Sequence, residues 1–358
     1  MKKSLIILLM FTLPLFIYAQ TSGGQITRRA PSYKKRIEQK KSTKKWKSRG
    51  KYIEGLSCVE DFKGKYGYID RKGNIIIPCM WDWASNFEDG IARVRDSNNK
   101  YGCIDKEGRI VIPCMWNYVD AFHEGMANVT DSNNKHGFID KEGKLIISCK
   151  WELTWGFSDG LAPVKNTNNK WGYIDKTGEI VIPFKYSNAS KFSEGLASVG
   201  VNNGYDCYID KTGADIIRGS WQYAGDFHEG LAFVKTKNKY GIIDKTGRII
   251  VPCQWKFYQV WGFKEGMALV KESYDKCGFL DRNGNMIIPC KWNFAVQFQD
   301  GLALVMDDNG KWGYIDKKGE IVIPCKWKWA YSFENGIAEV EDNYEKKYFI
   351  DKLGKVVK

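Results

Sequence analysis

The sequence predicts an all-β fold: a tandem array of eight to nine three-stranded units, closed or nearly closed into a propeller-like ring, with an open β-superhelix as the alternative. Three observations carry this. An aspartate followed three residues later by glycine recurs at Asp70, Asp105, Asp140, Asp175, Asp210, Asp244, Asp281, Asp316 and Asp351, with spacings of 35, 35, 35, 35, 34, 37, 35 and 35. Periods in this range mark solenoids, propellers or arrays. Within each period, short aromatic and β-branched runs alternate with turn residues, and no helical period is present. The first and last units are incomplete in complementary ways.

The elements of one unit follow in order. "YGYID" at 66–70 reads as a first strand, and "DRKG" at 70–73 as a tight hairpin turn with Asp first and Gly fourth. "NIIIPCMWDW" at 74–83 reads as a longer second strand whose alternate residues Ile75, Ile77, Cys79, Trp81 and Trp83 form a buried face. "FEDG" at 87–90 is the next turn, "IARVRD" a third strand, and "SNNK" the turn into the following unit.

These residues carry a resemblance. The recurring "KWGYIDKxGEIVIP" and "FxEGLAxV", clearest at 170–183 and 311–324, resemble the WG-repeat family of bacterial β-rich repeats over about residues 52–358. Trp-Gly itself stands only at Trp171 and Trp312; Tyr66, Tyr101 and Tyr240 hold the aromatic place elsewhere, and Asp206 with Cys207 replace the pair in the fifth unit, predicting a distortion there. The resemblance implies an all-β repeat architecture and no assigned chemistry.

The ends bear on closure. "EGLSCVED" at 54–61 matches only a third strand, and "KYFIDKLGKVVK" at 347–358 only a first strand and the start of a second. Together they make one composite unit, whose shared sheet would close the ring and remove exposed strand edges.

Charge divides the chain. Of 55 Lys and Arg, 14 lie in residues 1–51 beside a single acid, Glu38, so the net charge of +13 sits on this segment and the remainder is neutral. A folded nucleic-acid binder carries its charge on the fold, so no specific nucleic-acid partner is expected. Residues 1–19, with Lys2 and Lys3 before an apolar run ending at Ala19, read as a secretory signal peptide, leaving no transmembrane segment after cleavage. The protein is therefore expected to be exported, to the periplasm, the outer surface or the medium. Residues 20–51 read as a disordered basic tail. Arg28, Arg29, Lys34, Lys35, Arg36, Lys40, Lys41, Lys44, Lys45, Lys47, Arg49 and Lys51 would tether it to an anionic surface, or serve only as a solvated spacer. Residues 52–358 form the repeat domain.

A residue type repeated in every unit is explained by geometry, since a chemical site is needed once. The Gly-Leu-Ala-x-Val pattern is core. The acid-Gly pairs, such as Asp89/Gly90 and Glu194/Gly195, read as turn chemistry, with a carboxylate ring for cations as the other reading. Six of the ten cysteines, Cys79, Cys114, Cys149, Cys253, Cys290 and Cys325, share one register and read as buried free thiols, while Cys58, Cys103, Cys207 and Cys277 lie elsewhere and leave room for one bridge. No nucleophile elbow, zinc, P-loop or dinucleotide motif is present, and there are three histidines in all. No cofactor, metal or enzymatic activity is expected.

Recognition should use positions that vary between units and stay exposed. The candidates are the aromatic residues Trp83, Tyr118, Tyr223, Phe257 and Trp329, thirteen residues after their aspartates, with Trp155 and Trp261 in the adjoining loop. They would grip a peptide or stack on a sugar ring, unless the row only completes the core. The expected function is a non-catalytic scaffold of the bacterial envelope or exterior that binds a protein partner; the alternative is a carbohydrate or cell-wall binding module.

Overall fold

The computed structural model describes residues 45–201 and 206–357. They form nine antiparallel four-stranded sheets in which neighbouring strands are consecutive in sequence. The sheets stand as blades around a closed ring, a β-propeller: blade 1 (48–81), blade 2 (83–116), blade 3 (118–151), blade 4 (153–186), blade 5 (188–221), blade 6 (223–255), blade 7 (259–292), blade 8 (294–327) and blade 9 (329–357). The ring is the preferred sequence expectation, and the open superhelix falls.

Blade 2 shows how the unit is built. Its strands are Trp83–Ala84, Ile91–Arg95, Tyr101–Asp105 and Ile110–Trp116. The unit therefore has four strands, not three. The first is too short to display an alternation, and the chain bends at Asp82 between the outer strand of one blade and the innermost of the next. Trp83 consequently opens a new blade instead of ending the strand at 74–83. Of the face expected to be buried, Ile77 and Trp81 are interior, but Ile75 is half exposed at the rim.

The Trp-Gly glycine has a steric cause. A Cβ at Gly172 would lie 2.6 Å from the Ile182 carbonyl oxygen, and one at Gly313 would lie 2.7 Å from both the Ile323 oxygen and Cys325 Sγ. The outer strand bulges over this point, as the irregular register between Trp312 and Tyr314 records. At Gly172 and Gly313 any side chain would push the outer strand away. Among the described residues of the fifth unit the expected distortion is not seen: its third and outer strands keep the same pairing, Tyr208 with Ile217 and Ile209 with Asp215.

Blades are joined by repeated contacts. The third-strand tyrosine donates its hydroxyl to a carbonyl of the next innermost strand, Tyr68 to Ser85 at 2.6 Å and Tyr173 to Ser190 at 2.8 Å, while its ring packs on the neighbouring phenylalanine, Tyr68 on Phe87 at 4.7 Å. Asp89 and Gly90 have φ of 51° and 79°, the left-handed pair of a two-residue hairpin turn. The acids of this row accept from the next blade's turn glycine, Gly195 N–H donating to Asp159 at 2.7 Å and Gly160 N–H to Glu124 at 3.1 Å. Lys106, Lys176 and Arg282 pair with Glu54, Glu124 and Glu229. The carboxylates are thus occupied in turn and inter-blade bonds. The cysteines described are free, without disulfides.

The ends close the ring differently from the expectation. Blade 1 has its own innermost strand, Ser48–Ile53, and blade 9 its own outermost, Val356–Val357, so the termini share no sheet. The seam is ionic. Arg49 Nη2 meets Glu339 Oε1 at 2.5 Å, Lys51 Nζ meets Glu334 Oε2 at 2.6 Å, and Lys347 Nζ lies 3.4 Å from Glu339 and 3.2 Å from the Arg49 carbonyl oxygen. Arg71 stands over the Phe349 ring. The fold therefore begins before residue 52, and part of the basic run belongs to it. Lys47 pairs with Glu60, and Lys45 donates to the Gly73 carbonyl, so Lys45, Lys47, Arg49 and Lys51 are engaged within the fold. Arg28, Arg29, Lys34, Lys35, Arg36, Lys40, Lys41 and Lys44, like the signal segment, lie outside the described residues.

Candidate binding surface

The innermost strand of each blade begins on the face that carries the turns between second and third strands. Trp83 pairs with Arg95, one residue before such a turn. Five of the candidate aromatics sit at or beside this rim. Tyr118, Tyr223 and Trp329 are 41%, 43% and 44% exposed, and Trp83 and Phe257 are half-buried. They form separate runs, not a ring. Trp83, Tyr101 and Tyr118 follow one another at 5.8 and 5.5 Å across blades 2 and 3, with Arg93 over Trp83 and Arg95 over Tyr101. Phe294, Trp312 and Trp329 do so at 5.5 Å each across blades 8 and 9. The Trp-Gly aromatic is the wedge in both, set between rim residues of two successive blades.

Trp155 and Trp261 do not join this rim. Both are half-buried: Trp155, in the connection just after the strand Leu153–Thr154, stacks on Trp171 at 6.0 Å and an interplanar angle of 10°, and Trp261, inside the strand Gln259–Lys264, packs on the core of blades 7 and 8. The glycine after each makes room for a histidine of the preceding blade. A Cβ at Gly156 would lie 2.7 Å from His123 Cδ2, and one at Gly262 would meet the His228 ring. The sequence carries this signal, because both His-Glu-Gly turns precede a unit with Trp-Gly-Phe, but the matching lies between units.

The same strands bring charged groups together near the ring axis, which the sequence did not reveal. Lys191 Nζ would lie 3.4 Å from a Gly156 Cβ, beside His123. Burial pulls the Lys191 amine below its ordinary range while Asp120 and Asp226 oppose this. Burial and then Lys191 hold His123 below its usual value, with Asp120 and Glu88 opposing them. Asp226 is open to solvent yet walled by protein, and lost hydration raises its carboxyl pKa, which a Ser190 hydroxyl partly offsets. Among the described residues no group of three or more His, Cys, Asp and Glu is arranged to hold a metal ion.

One junction breaks the repeat. The shortened spacing of 34 falls in the second-to-third turn of blade 6, where Lys237 and Asn238 make a two-residue turn, and the lengthened spacing of 37 falls in the connection from blade 6 to blade 7 at 256–258. Both departures border one cleft of about 560 Å³, lined by Lys239, Gln254, Trp255, Lys256, Phe257, Glu272, Met286, Pro289 and Cys290. Trp255 and Phe257 stack there at 5.6 Å and 27°.

The family model described as "WG containing repeat" matches eight times in succession from residue 66 to residue 348. The chain belongs to this family. No curated protein matches it. Among solved structures, the computationally designed Ika8 protein is 10% identical with a TM-score of 0.46, over 74% of this chain and 94% of that one. BamB from Moraxella catarrhalis is 11% identical with a TM-score of 0.44, over 75% of this chain and 95% of that one. The nine-blade assignment rests on the strand pairings alone.

Proposed function

We propose that the protein is an exported, non-catalytic interaction scaffold of the bacterial envelope or exterior, whose rim binds a protein partner. One observation carries this reading: the repeated polar residues are consumed in turns and blade junctions, whereas large aromatics that vary from blade to blade stay exposed on one face. Aromatic groups with an apolar body and a polar edge are the side chains that anchor protein interfaces. Export rests on the charged, apolar and small-residue order of residues 1–19, and the residues at 28–44 supply the basic charge for an anionic surface.

The test is quantitative cross-linking in the source cells with wild type and a Tyr118→Ser/Tyr223→Ser/Trp329→Ser variant, after circular dichroism shows both folded. Loss of one protein adduct by the variant supports the scaffold. Unchanged adducts would sink the rim reading, and rim-dependent binding to purified wall polysaccharide would favour the carbohydrate alternative.

A further inference from the structure

The cleft between blades 6 and 7 is the place where the chain departs from its own repeat in length, and the departures have a structural result. At seven other junctions the glycine of the third-to-outer turn has an isoleucine of the preceding blade as its nearest neighbour, as Gly143 has Ile112 at 3.1 Å, and at the seam Gly73 has nothing within 4 Å. At this junction a Cβ on Gly284 would also lie 2.7 Å from Trp255 Cη2. The Trp255 ring thus leans toward blade 7 and, like Trp221 of blade 5, is only half-buried, whereas Trp151 and Trp292, in the same register, are buried. The inserted segment brings Phe257 onto it.

The walls differ in chemistry. One is the Trp255–Phe257 stack, and facing it are Met286, Pro289 and Cys290 of the blade 7 outer strand. The rim is polar: Lys239 and Lys256, both exposed, against the single acid Glu272. Two apolar walls suit a side chain inserted edge-on better than a sugar, which needs hydrogen-bonding groups around its ring. Methionine adapts to the shape of an apolar guest. The excess of lysine selects a negative neighbour.

We infer that this cleft receives one large apolar side chain, aromatic or aliphatic, from an extended segment of a partner protein, with an Asp or Glu of the same segment set against Lys239 and Lys256. The inference rests on the scaffold reading and gives it an address. The anchor covers the apolar walls of the open cleft and supplies affinity, while the lysines set selectivity and rate.

The experiment is selection of a displayed library of random twelve-residue peptides on the full chain, followed by affinity measurement of the winners on a Lys239→Glu/Lys256→Glu variant and on a Met286→Asp variant. These positions are exposed, so the fold is retained, which circular dichroism checks. Winners sharing an apolar residue next to Asp or Glu, with affinity at least tenfold weaker on both variants, are the expected result. Winners that bind both variants as well as wild type would overturn the cleft assignment and leave the scaffold reading standing. No enrichment at all would count against both. A panel of neutral and uronic-acid oligosaccharides runs beside it, and binding there that the variants abolish would make the cleft a sugar site and overturn the inference.

Discussion

Cys207 and Gly219 hold in blade 5, in reversed order, the two places that Gly241 and Cys253 hold in blade 6. In blade 6 a Cβ at Gly241 would lie 2.7 Å from the Val251 oxygen and 2.9 Å from Cys253 Sγ, so the outer-strand thiol fills the space that the third-strand glycine leaves. In blade 5 the bulk comes from the third strand, Cys207 being buried, and the outer strand supplies the glycine. On that strand the Trp221 ring takes the space, since a Cβ at Gly219 would meet it.

Adding Gly219→Cys alone is therefore expected to overpack blade 5 by about 1–3 kcal/mol. Combining it with Trp221→Ala, which empties the space that the new side chain needs, should make the two losses less than additive. Urea unfolding of the four members of the cycle measures the coupling, and additive single effects would show that the two places do not share a volume.

The seam gives a second expectation. Glu339 is 2% exposed and holds Arg49 and Lys347. Glu339→Ala leaves two cations without their buried partner and should cost about 3–5 kcal/mol. Limited proteolysis should then cut first in blade 1 or blade 9. A loss below ~1 kcal/mol would mean that the ring is held by the remaining junctions.

Truncation separates tail from fold. Removal of residues 1–44 should leave the unfolding midpoint unchanged. Removal through Ile53 deletes the first blade's innermost strand, with Arg49, Lys51 and Tyr52, and should destabilise the ring and promote association through the bared edge of Leu56–Glu60. Equal midpoints for the two truncations would contradict the placement of Ser48–Ile53.

The thiols predict alkaline behaviour. Burial pushes Cys58 and Cys103 up to about 12 and Cys114, Cys149, Cys290 and Cys325 to about 11, from an ordinary value of 9.0. A thiol harder to ionise in the folded state contributes stability that is whole below pH ~9 and is lost as pH rises from there toward 11–12. Denaturation midpoints should fall over that window, and the fall should shrink when these cysteines become alanine or serine. Alkylation by iodoacetamide at pH 8 should be far slower in the native protein than in urea.

Most of the blade was legible in the sequence because its turns are chemical. Asp70 must accept from the Lys72 and Asn74 amides, and Gly73 must take a φ of 82°, so few residue types fit and the period shows. The fourth strand was not legible, since Trp83–Ala84 spans two residues. Closure was read as strand sharing because its real determinant joins Arg49 to Glu339, 290 residues apart, with no local trace. The same arginine, beside Lys47 and Lys51, made the first strand look like part of the tail. Of the candidate surface, the rim aromatics were readable as a row and Trp155 lies in a connection as expected, but Trp261 falls inside the strand Gln259–Lys264, whose bulge between Val260 and Phe263 leaves no local trace.

Because each blade is one uninterrupted stretch of chain and the termini meet only through side chains, the molecule is a necklace with a clasp. Gaining or losing a unit would leave each blade's own ladder of hydrogen bonds whole and would instead change the angle at which every blade meets the next. Drawn apart by its two ends, such a chain should yield first at the clasp and then release length one blade at a time, in steps of roughly 120 Å for a unit of about 35 residues.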